Sequence, residues 1–85
     1  MSRLIPAAER ITRARALIRK ARELPVPADG GRSDFSYIAQ VKDLLRQALD
    51  LVKFIPMSPS TTADMKEDVK QIFQDAELAD QEILH

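Results

Sequence analysis

The sequence predicts an all-α fold, a three-helix up-down-up antiparallel bundle, and three observations carry that expectation. Apolar residues recur at three- and four-residue spacing in three separate stretches, prolines and glycines fall between those stretches, and no alternating β-type run interrupts them. At 85 residues there is room for one core, so residues 1–85 are expected to form a single helical domain with helices over 5–24, 34–55 and 62–84. The alternative is a helical hairpin whose third helix is exchanged in an oligomer, because residues 56–61 are long enough to let that helix leave.

The first stripe is Leu4, Ala7, Ile11, Ala14, Ile18 and Ala21, widened by Leu17 and Leu24. Pro6 suits a first turn, where a missing N–H costs nothing, and Pro25 with Pro27 blocks continuation beyond Leu24. Asp29-Gly30-Gly31 signals a turn, after which Ser33 or Asp34 is placed to cap the second helix.

That helix repeats Ile38, Val41, Leu45, Ala48, Val52 and Ile55, flanked by Phe35, Tyr37, Leu44, Leu49 and Leu51. Its apolar sector spans about 200°, against about 100° for a helix covered on one side, so it is the central element. Pro56 and Pro59 end the pattern, and Ser60, Thr61 or Thr62 offers a third cap. Asp64, Glu67 and Asp68 follow, where carboxylates favour the positive end of the helix dipole. The third stripe is Met65, Val69, Ile72, Ala76, Ala79 and Ile83, with Phe73 beside it.

The formal net charge is zero, yet the charges are sorted along the chain. Residues 1–24 hold seven basic and two acidic side chains, residues 25–55 four of each, and residues 56–85 two basic and seven acidic. On heptads, Arg15 and Arg22 fall on the flank of the first helix that a parallel third helix would meet with Asp68, Asp75 and Glu82. These five form a candidate interhelix charge seam. Arg3, Arg10, Arg13, Arg19 and Lys20 remain on one side and Glu67, Glu77 and Asp80 on the other, while Glu9 with Arg13 and Arg19 with Glu23 are spaced to pair within the helix. With Phe54 and Leu78, those eight leftover charges make up a candidate interaction surface. Leu51, Met57 and Leu84 also lie at or beyond the stripe edges, and a cluster of such residues at one end of the bundle would mark a docking patch.

The chemistry that the chain lacks narrows its role. No cysteine removes disulfides, thiolate nucleophiles and thiolate metal sites, and the single histidine is His85, with no base or ligand set beside it. The acids of the third helix fall at polar heptad positions, and Gly30-Gly31 lacks the spacing of a phosphate cradle. No catalytic, cofactor-binding or metal-ligating residue can be named, so the expectation is no enzyme, no cofactor, no metal and no small-molecule substrate. No run approaches the roughly 18 apolar residues of a membrane span, and Met1 to Leu4 followed by Pro6 has no apolar leader core, so no membrane partner and a cytoplasmic location are expected.

A small domain buries little surface by itself, which favours a partner. The expected function is therefore a non-catalytic protein-protein interaction module, or a small structural or adaptor subunit of a larger assembly, associating with a protein partner or with itself. The alternative is a nucleic-acid-associated regulator using the arginine-rich first helix.

Overall fold

Each helix is bounded by the backbone chemistry of its flanking residues. The computed structural model describes residues 6–28 and 34–84; Arg3, Leu4, Asp29-Gly30-Gly31, Ser33 and His85 lie outside them. Among the described residues there are three α-helices: α1, Ala7–Glu23; α2, Phe35–Val52; and α3, Ala63–Leu84. The Pro6 carbonyl accepts the Arg10 N–H at 3.0 Å and opens α1 without a side-chain cap. Pro25 disfavours helical geometry in the residue before it, and Leu24 duly turns extended at φ −59° and ψ 137°.

Asp34 caps α2, its Oδ1 accepting the Tyr37 N–H at 3.0 Å. Thr62 caps α3 in the same way, its Oγ1 accepting the Met65 N–H at 3.2 Å. The end of α2 departs from the sequence expectation. A helix running to Ile55 and on through Pro56 would drive the proline ring into the Val52 carbonyl and leave that carbonyl without its N–H donor. The helix instead stops at Val52, and Ile55–Met57 form a single 3-10 turn closed by the Ser58 N–H on the Ile55 carbonyl at 3.1 Å. The Thr61 hydroxyl donates to the same carbonyl, tying the turn to the start of α3.

The three helices pack against one another, and the 3-10 turn packs on α3. Their common core is Ile11, Ala14, Ile18 and Ala21 from α1, Tyr37, Val41, Leu45, Ala48 and Val52 from α2, Ile55 from the turn, and Val69, Ile72, Ala76 and Ala79 from α3. No polar or charged side chain is buried among the described residues. Leu44, Leu49 and Leu51 are half-buried on the flanks of α2, in keeping with an element that serves two neighbours.

Two α2 expectations need correction. Phe35 is 84% exposed, because it sits roughly a third of a turn round the helix from Val41 and Val52. Ile38 is only half-buried, and Tyr37 takes the core position beside it. Among the described residues, no helix is long and apolar enough to cross a membrane.

Candidate functional site

The charged residues separate into those held within the fold and those left at its surface. Arg15 Nη2 donates to Asp68 Oδ1 at 3.1 Å and lies 3.5 Å from Gln71 Oε1, while Arg22 pairs with Glu82. Asp75 joins neither arginine. Arg15 leans toward the start of α3 and Arg22 toward its end, so the carboxylate midway between Asp68 and Glu82 is passed over and the expected five-residue seam contracts to two pairs. An exposed pair of this kind contributes about 0.2–1 kcal/mol. Reversing Asp68 to arginine should cost an amount of that order, and the swap Arg15→Asp with Asp68→Arg should recover it, whereas Asp75→Arg should stay within about 0.5 kcal/mol. Urea denaturation of the four chains measures the difference, and equal costs at Asp68 and Asp75 would mean that no seam exists.

The outer face of α2 neutralises itself. Arg46 pairs with Asp43 and lies 4.0 Å from Asp50, while Lys53 Nζ is 3.1 Å from Asp50 and 5.1 Å from the centre of the Phe54 ring. Hydrogen bonds from Arg46 and then Gln47 hold the Asp43 carboxyl below its usual value, and the same carboxylate raises Arg46. A carboxyl depressed in the folded state stabilises the fold above its unfolded pKa, and that contribution is lost as pH falls through the folded value. In an NMR titration the Asp43 midpoint should therefore lie below that of a free aspartate and return toward it in Arg46→Ala. An unmoved midpoint would show that the guanidinium does not hold the carboxylate.

The basic residues of α1 do not form one face. Arg13 pairs with Glu9 at 3.0 Å and, with Lys20, borders a shallow groove of about 370 Å³ over Ala16, Leu17 and Leu51. Arg19 is exposed on a different side and makes no ion pair with Glu23. Arg10 is half-buried, with its Nε shielded from solvent and no hydrogen-bond acceptor for it among the described residues. The expected apolar cluster at one end is not formed either. Phe54 and Met57, 60% and 76% exposed, lie just before the 3-10 turn and at its last residue, whereas Leu78 is 15 residues into α3, about 22 Å along its axis. Leu51 and Leu84 are half-buried against the core.

The larger concavity lies between α2 and α3. It is an open groove of about 500 Å³ over Leu45, Leu49, Phe73 and Ala76, with Lys42, Arg46 and Asp50 on one lip and Glu77 and Asp80 on the other. Phe73 is 42% exposed in it. The same ring borders a second depression of about 290 Å³, floored by Pro56 and Val69 and edged by Lys53, Lys66 and Lys70. Glu77 and Asp80, two of the residues singled out from the sequence, thus share one wall, and Glu67 is exposed elsewhere on α3.

Of the charged residues around Phe73, only Glu77 and Asp80 stand out from the sequence; the ring itself, Lys66 and Lys70, and the charges that α2 and Lys53 contribute do not. The heptad that puts Ile72 at a core position puts Phe73 on its flank, a signal that was present but is shared with any wide apolar stripe. Among the described residues, no three acids or histidines converge on a point that would hold a metal ion. No family model, curated protein or solved structure matches the chain.

Proposed function

We propose that this chain is a non-catalytic protein-protein interaction module or small structural subunit, built as an up-down-up bundle that docks through the α2–α3 side. The observation that carries this reading is the open groove with Phe73 half out of it, an apolar floor lipped by charges of both signs and without converging polar groups. Interfaces of this type combine an apolar centre with a charged rim that selects the partner.

The order of the α1–α3 ion pairs supports the closed bundle. Arg15 precedes Arg22 as Asp68 precedes Glu82, so both helices ascend together, as the first and third helices of an up-down-up chain do. The same pairs weigh against a phosphate-binding α1, since two of its arginines are already turned to carboxylates and the remainder are dispersed.

The test is recovery of the native protein with its assembly intact, followed by cross-linking and mass analysis. A complex heavier than the 9.6 kDa chain, with cross-links at Lys42, Lys53, Lys66 or Lys70, is the expected result. A chain that runs at its own mass under native conditions overturns the reading.

A further inference from the structure

The edge of α3 that borders the two depressions carries its charges in mirror order. Along the helix it reads Lys66, Lys70, Phe73, Glu77 and Asp80, residues three or four apart and therefore on one face. Two cations precede the exposed ring and two carboxylates follow it. Within a single helix this arrangement is unfavourable, because Lys66 and Lys70 repel at i,i+4 and Glu77 and Asp80 repel at i,i+3. Lys66, Lys70 and Glu77 make no ion pair with any described residue, while Asp80 is engaged within its own chain.

We propose that a second copy of this chain docks on this edge, giving a twofold homodimer centred on Phe73. This rests on the interaction-module reading and names its partner. In an antiparallel pair about that centre, residues equally far from Phe73 on either side face each other. Lys66, seven residues before the ring, meets the second copy's Asp80, seven residues after it. Lys70, three before, meets the turn that carries the second copy's Glu77, four after.

The same surface thus serves both partners, as a twofold interface requires. Each Phe73 ring gains apolar contact with its counterpart and with the half-buried Leu49 on the groove floor. The antiparallel arrangement also sets opposed helix dipoles side by side. The charge order identifies the occupant: an acidic segment of another protein would suit Lys53, Lys66 and Lys70 but would face Glu77 and Asp80 with like charge. One helix edge with a groove lip lies at the small end of protein interfaces, below about 1,200 Å² in total, so the dimer is reversible and dependent on concentration.

Sedimentation equilibrium of the full chain over a concentration series, at low and high salt, tests the proposal. The mass should climb from 9.6 kDa toward twice that value and fall back as salt screens the pairs. Lys70→Glu and Glu77→Lys should each weaken association by about tenfold or more, since like charges then meet at both symmetric contacts. An equimolar mixture of those two variants should associate, and so should the chain carrying both changes. Circular dichroism checks that every variant keeps its helices.

A wild-type chain that stays at 9.6 kDa under all conditions, a dimer indifferent to Lys70→Glu, or a mixture that fails to associate would each overturn the homodimer. If the purified chain is monomeric but the native assembly holds a different protein, the homodimer falls and the interaction module stands. If both are single chains, both fall.

Discussion

Ile72→Ala is expected to lower the unfolding free energy by about 2–5 kcal/mol, the range for truncating a fully enclosed isoleucine when its surroundings cannot collapse into the space. Ile72 has no solvent exposure, and with Val41 and Val52 it is among the largest side chains so enclosed. An 85-residue domain holds about 4–13 kcal/mol in all, so one truncation removes a large part of what keeps it folded. Leu78→Ala on the same helix is the control. Leu78 is 48% exposed, and its loss should fall within about 0.5 kcal/mol. Urea titrations of both variants give the comparison through the midpoint, provided the slope is unchanged. Equal effects at Ile72 and Leu78 would mean that α3 does not present the face described here. The measurements belong at low chain concentration, since the dimer proposed above would stabilise the folded state by mass action.

The core was legible because helical burial is periodic. Ile11, Ala14, Ile18, Val41, Leu45, Val69, Ile72 and Ala79 all fall where the repeat places them, whereas Ala7, Ile38, Met65 and Ile83 toward the ends of the repeats are only half-buried. Helix ends were legible where one residue dictates backbone geometry: Pro25 stops α1, and Asp34 and Thr62 supply caps. The finish of α2 was not, since Ile55 stays buried whether the chain reaches it as α-helix or through a 3-10 turn, and the pattern of burial records only the first fact. Phe35 was misassigned for a related reason. A wide apolar sector does not mark its own border, and one aromatic at the first position of a helix can lie beyond it.

The groove between α2 and α3 was legible in part. Glu77 and Asp80 stood out as charges without a place in the heptad seam, but which wall they share depends on how α2 leans on α3. That lean also leaves Phe73 half-exposed, and it is a property of packing between helices that a repeat within one helix does not encode. Asp75 shows the converse limit. It holds the same heptad position as Asp68 and Glu82, yet the reach of two arginines toward opposite ends of α3 leaves it out.

Ala14→Leu is expected to cost about 1–3 kcal/mol, by overpacking instead of by leaving a void. Ala14, Ala21, Ala48, Ala76 and Ala79 are each no more than 3% exposed, and every helix contributes at least one of them. Small side chains at so many core positions allow close helix approach, and three added carbons at Ala14 have to push α1 outward. For a domain of this size each kcal/mol lowers the melting temperature by about 4–8 °C, so the loss is readily seen by thermal denaturation.

Ala16→Leu separates this effect from helix propensity, because Ala16 is exposed over the shallow groove beside Leu17 and Leu51 and can take a larger side chain. Its change should lie within about 0.5 kcal/mol. The displacement of α1 has a second readout. Arg15 and Arg22 reach Asp68 and Glu82 only while α1 and α3 stay close, so the coupling between Arg15 and Asp68 should vanish in an Ala14→Leu background and persist in Ala16→Leu. Coupling that survives in Ala14→Leu would mean that the arginine heads follow α3 by flexing, and that the alanine core does not set the distance on which the pairs depend.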